Sequence, residues 1–139
     1  MAPKVHARIV RVLIGLMLLI GIPVALATPA SATAQTCISA SGGYVCAMTY
    51  GSGTYVSDMG VSRGKAPTAV CNYSAWFFYM PPTGGAYSLG TQQRAGCGLL
   101  RVWLNQPVDR SFPSGTLVCA KFYENYWNDL IAQKCVGVS

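Results

Sequence analysis

The chain has 139 residues, ten Lys and Arg against four Asp and Glu, and a single histidine, His6, that lies in an apolar N-terminal stretch. Histidine is the commonest general base and metal ligand, so most hydrolytic and metal-dependent chemistry is excluded from the remainder of the chain. The cations beyond residue 34 are dispersed, with no run of like charge, which excludes a phosphate-tracking surface and hence nucleic-acid binding.

Residues 1–34 read as a secretory leader. Lys4, Arg8 and Arg11 supply the positive start, and Val12 to Ala27 form an apolar run broken only by Gly15, Gly21 and Pro23. Ala32-Thr33-Ala34 then fits the small-residue cleavage pattern. Pro23 and the small-residue tail argue against a membrane anchor. Cleavage leaves residues 35–139 as one small secreted domain, with seven cations, four acids and a net charge of about +3.

Cys37, Cys46, Cys71, Cys97, Cys119 and Cys135 all fall in that domain. An even count in a small exported chain reads as a disulfide framework, and the C-x-x-C spacing that a metal site would need does not occur. Six cysteines allow many pairings, which turn positions narrow. The midpoint of Cys37 and Cys46 falls at Ser41-Gly42, that of Cys71 and Cys97 at Gly84 within Pro81-Pro82-Thr83-Gly84-Gly85, and that of Cys119 and Cys135 at Trp127. Each is a plausible hairpin loop, so the sequential pairing is predicted.

Strand candidates follow in chain order. Gly43 to Tyr50 and Thr54 to Val56 are short and joined by Gly51-Ser52-Gly53. Arg63 to Pro67 reads as a flexible stretch. Val70 to Met80, rich in aromatics, reads as a long central strand. From Leu99 to Gln106, Leu100, Val102 and Leu104 point one way, while Arg101 and Asn105 point the other with Trp103. Thr116 to Tyr123 and Leu130 to Val138 complete the set. No capped helix is evident after the leader. The expected fold class is all-β, a small disulfide-stapled antiparallel β-sandwich or barrel.

Little in this pattern carries catalysis. Without histidine, the usual nucleophilic triads lack a base, and Ser–Lys chemistry remains only formally open through Lys65, Lys121 or Lys134. Asp58 and Asp109 resemble ordinary turn residues. No enzyme, cofactor or metal is expected. Trp76 to Tyr79 run consecutively, so alternate rings must face opposite sides of a strand. Tyr123, Tyr126 and Trp127, together with Trp103, are candidate partner-binding residues, because exposed rings anchor protein partners or sugar faces. Lys65 and Arg94, each in a basic stretch, are candidates for an inhibitor loop. The sequon Asn72-Tyr73-Ser74 lies within a predicted strand.

The Ala-rich leader ending at Ala34 is followed at the far end by Phe112-Pro113-Ser114-Gly115-Thr116, Val118-Cys119, an aromatic strand and a closing Cys135-Val136. This plan resembles the small cysteine-rich secreted proteins of filamentous actinobacteria, and among them the small adaptor subunit of umbrella toxin particles. The resemblance implies a non-enzymatic β protein bridging a lectin-like subunit and a large toxin subunit. It assigns no functional residue. The expectation is thus a secreted protein-binding domain, an adaptor or structural subunit of an extracellular complex, whose partners are other secreted proteins. After leader cleavage it engages no membrane. The alternatives are a serine-protease inhibitor acting through Arg94 or Lys65, and a carbohydrate or cell-wall module using Trp127 and its tyrosine neighbours.

Overall fold

A computed structural model describes residues 33–139. The expected leader, His6 included, lies outside the described residues except for Thr33 and Ala34. Eight strands account for most of the rest: β1 (Ala34–Ala40), β2 (Gly43–Ser52), β3 (Tyr55–Gly64), β4 (Val70–Met80), β5 (Tyr87–Gly98), β6 (Arg101–Ser111), β7 (Leu117–Glu124) and β8 (Asp129–Gly137). They form two antiparallel four-stranded sheets, ordered β1-β2-β3-β6 and β5-β4-β7-β8. The two sheets pack as a sandwich, and no helix occurs among the described residues.

Period-two alternation builds the core. Val45, Ala47, Val56, Met59, Val61, Val102 and Leu104 face inward from the first sheet, against Val70, Tyr73, Ala75, Phe77, Val118, Ala120, Phe122 and Val136 from the second. The run Trp76 to Tyr79 divides accordingly. Phe77 and Tyr79 point inward, whereas Trp76 and Phe78 stack on the outer face at 4.7 Å, with the Lys121 ammonium 5.0 Å from the Trp76 ring.

Four strands depart from expectation, and one of them, β1, matches no strand candidate at all. β3 continues to Gly64 because a bulge between Val56 and Asp58 shifts the register and interrupts the alternation that marks a strand in sequence. Arg63 therefore lies within a strand and is fully buried, where a flexible loop was expected. β5, with Gln92, Gln93 and Arg94 at its centre, is an edge strand whose polar composition hides it. β6 starts at Arg101: Val102 and Leu104 are buried, but Leu100 lies in the preceding turn and is exposed.

The disulfides are Cys37–Cys46, Cys71–Cys97 and Cys119–Cys135, each joining residues directly opposite on neighbouring strands, with Cα–Cα distances of 4.0, 3.9 and 4.0 Å. Their loops span 9, 26 and 16 residues. Chain entropy then stabilises the fold by about 2.6, 3.5 and 3.1 kcal/mol respectively. Each bond ties an edge strand (β1, β5 or β8) to its inner neighbour, and none crosses between the sheets.

Cohesion between the sheets is non-covalent. Thr36 Oγ1 donates to the Cys135 carbonyl (2.8 Å) on one open side, and Gln92 Nε2 to Gln106 Oε1 (3.0 Å) on the other. Near one end, Arg63 of β3 reaches across to Glu124 of β7, Nε to Oε1 at 3.1 Å. Its remaining donors serve the carbonyls of Tyr44, Gly64 and Ser41. The Arg63 side chain is 0% exposed and that of Glu124 is 13%, so removing one partner strands a buried charge. Glu124→Gln is expected to destabilise the fold by about 3 kcal/mol in urea unfolding. Lys65→Gln, which loses a more solvent-facing contact to the same carboxylate (3.1 Å), should cost less than about 1 kcal/mol.

Candidate functional site

Because every strand is antiparallel to its neighbours, the β1–β2, β3–β4, β5–β6 and β7–β8 connections emerge at one end of the sandwich. Three contacts knit them into a continuous rim. The Lys65 amide donates to the Leu100 carbonyl (3.1 Å), the Tyr126 amide to the Asn72 carbonyl, and Arg63 Nη2 to the Ser41 carbonyl.

Leu99 and Leu100 form the β5–β6 turn and are 72% and 69% exposed. The Arg101 amide donates to the Leu99 carbonyl at 2.7 Å, and Leu100 has φ of 66°. This is a γ-turn of the positive-φ kind, rare and strained for a residue with a Cβ. Five described residues other than glycine have positive φ. Three are Asn or Asp, whose short polar side chains tolerate that region: Asn72, Asp109 and Asn125. The two bulky ones, Leu100 and Tyr126 (φ 61°), are both exposed and both on this rim.

Beside the Leu turn, the gap between β5 and β6 widens into a cleft of about 360 Å³, lined by Arg94, Gly96, Arg101, Val102, Trp103 and buried Tyr73. Gly96 (φ 87°) allows β5 to bulge there, and its amide donates to Asn72 Oδ1 at 3.0 Å. Arg101 is held by a hydrogen bond to Ser62 Oγ (2.9 Å), with its guanidinium 5.1 Å from the Trp103 ring centre. Trp103 lies flat across the outer face of β3, where a Cβ on Gly60 would meet its ring at 2.8 Å, and its indole donates to Asn105 Oδ1. Among the described residues, neither Arg94 nor Arg101 has an ion-pair partner. Glu124 is engaged by Arg63 and Lys65, and Asp129 accepts from Asn125. Asp109 accepts from the Tyr55 hydroxyl, and this bond holds the exposed phenol above its ordinary pKa.

The partner-binding candidates divide between two places. Tyr123 and Trp127 meet at 5.2 Å on the outer face of the second sheet, and Trp127 Nε1 donates to Gln93 Oε1 (3.1 Å). Tyr123 and Gln93 flank Ser74 in the strand register, so the indole roofs that fully buried serine. Tyr126 projects from the same loop. Trp103 belongs to the other sheet, across the β5–β6 cleft. The inhibitor candidates also separate. Lys65 is committed to Glu124, and Arg94 lies within β5 on the cleft wall, opposite Tyr73, with no protruding loop to carry it. Ser62 and Lys65 stand at S-x-x-K spacing. That spacing aligns the two on a helix, but here they diverge: Ser62 accepts from Arg101 on the outer face, whereas Lys65 reaches Glu124.

Sequence reasoning passed over Leu99, Leu100 and Arg101 as site residues because they continue the apolar alternation of β6. The available signal was Gly96-Cys97-Gly98, two glycines flanking a cysteine just before the leucines. No protein-family model, curated protein or solved structure matches the chain.

If Leu100 is not there for folding, a residue that tolerates positive φ should fold better. Leu100→Asn is expected to stabilise the protein by about 1 kcal/mol, raising Tm by roughly 4 °C in a thermal scan followed by circular dichroism.

Proposed function

We propose that the protein is a secreted, non-catalytic β-sandwich that binds another extracellular protein through its rim, as an adaptor or structural subunit of a secreted assembly such as a toxin particle. One observation carries this reading: the two bulky residues held in strained backbone, Leu100 and Tyr126, are both displayed to solvent at the same end. Strain of this kind persists only where surrounding structure enforces it, and it concentrates at binding sites. Exposing Leu99 and Leu100 side by side costs solubility without helping the core, and rigid exposed apolar groups beside a cleft form the anchor of an interface. Three disulfides suit an oxidising, extracellular setting.

Of the alternatives, the inhibitor reading lacks a protruding loop at Arg94 or Lys65. The carbohydrate reading has Trp127 in its favour, at 42% exposed, but the ring packs against Tyr123 and its N–H is already spent on Gln93.

Tagged protein, incubated in the native culture supernatant and recovered, should retain a companion in stoichiometric amount by intact-mass analysis. The double variant Leu99→Ser/Leu100→Asn should fold and lose that companion by tenfold or more, on the order expected for removal of an apolar anchor. Recovery of the protein alone, or equal retention by the variant, overturns the rim as a protein-binding surface.

A further inference from the structure

The cleft beside the Leu turn has a chemistry of its own. Its lining includes two arginines, Arg94 and Arg101, that meet no carboxylate among the described residues, and one wall is aromatic and apolar, from Trp103 and Val102. Arg101 is pre-positioned by Ser62 and by the Trp103 ring, so little side-chain freedom remains to be lost when it binds an anion. Buried Tyr73 lines it, and the lip is the turn that joins lining residues Gly98 and Arg101 along the chain, the exposed pair Leu99 and Leu100. Disulfide Cys71–Cys97 fixes the β5 wall two residues before that lip.

Resting on the protein-binding reading above, we infer that this cleft takes an acidic residue of an extended partner segment, with the flanking apolar side chains of that segment seated on Trp103 and the two leucines. Charge complementarity selects the anion: guanidinium groups bind carboxylates through paired, charge-assisted hydrogen bonds. The apolar wall and lip select its setting. A free inorganic anion would satisfy the arginines and leave Trp103, Val102 and the leucines uncovered, whereas a glutamate or aspartate between apolar residues fills both halves. A cleft of about 360 Å³ holds one or two side chains and no more. The site differs from the Arg63–Glu124 pair, which is internally satisfied and sealed within the sandwich.

The test uses the disulfide-bonded protein and a fluorescein-labelled pentapeptide blocked at both ends, with one glutamate between two leucines. Its counterpart carries glutamine in place of glutamate. Fluorescence anisotropy should show saturable binding of the glutamate peptide, weakened by added salt, with the glutamine peptide about tenfold weaker. Arg94→Gln, at an exposed position, should weaken the glutamate peptide about tenfold and leave circular dichroism unchanged. Lys134→Gln, on the far edge strand β8, should change nothing. Equal affinity for the two peptides, equal affinity of Arg94→Gln and the unsubstituted protein, or no anisotropy change up to millimolar protein would each overturn the acidic-segment inference. A companion that is lost with the Leu99/Leu100 variant but retained undiminished by Arg94→Gln would also overturn this inference while leaving the protein-binding reading intact. Absence of any companion bears on that reading alone, because the peptide experiment does not depend on it.

Discussion

One buried side chain organises the end of the molecule on which the candidate site lies. Arg63 leaves β3, a strand of the first sheet, and meets Glu124 at the end of β7 in the second. Its other donors close on the carbonyls of Ser41, Tyr44 and Gly64, so the β1–β2 turn and the end of β3 are fixed by the same group. A guanidinium suits this role because it is planar, permanently charged and able to address several acceptors at once. The consequences run outward. Glu124 is the last residue before the loop carrying Tyr126 and Trp127, and Lys65, which shares its carboxylate, donates its amide to Leu100. Both strained residues of the rim are thus one contact or one loop away from the Arg63 network.

The disulfides solve a different problem. In a small sandwich the edge strands have only one hydrogen-bonded neighbour and are the first to fray or to pair with another chain. Here β1, β5 and β8 are each bonded covalently to the strand beside them, and β6 is the edge strand without such a bond. β6 is defended by other means, with Pro107 and a break in register along its length. Since none of the disulfides crosses the core, face-to-face packing depends on side chains, which gives the Arg63–Glu124 pair disproportionate weight. Pinning β5 at Cys97 also rigidifies the approach to the Leu turn, so the turn is presented in one geometry.

Local preference and global structure agree over most of the chain and disagree at the rim. Positive φ is taken by glycine, asparagine or aspartate nearly everywhere it is required among the described residues. Leu100 and Tyr126 break that rule, and Leu99 and Leu100 are the most exposed large apolar side chains among the described residues. Disagreements of this kind, on an otherwise consistent sequence, gather at functional sites, where binding and stability pull in opposite directions.

The class of fold and its covalent frame are legible in the amino-acid pattern alone. The aromatic and β-forming residues of Val70 to Met80 and the period-two alternation of Leu99 to Gln106 are local properties, and three turn-forming stretches lie midway between the paired cysteines. Both signals survive without knowledge of what packs against them. Strands β3 and β5 were less legible, one because a bulge resets the alternation and the other because a polar edge resembles a loop. The fates of Arg63, Leu100 and Arg94 follow from long-range packing. A basic residue between Ser62 and Gly64 reads as solvated until a glutamate 61 positions away is found opposite it. A leucine in phase with Val102 and Leu104 reads as core until the chain turns one residue before the strand begins. Partnership across the sandwich and the exact residue at which a chain reverses are set by long-range packing, and no local pattern encodes them.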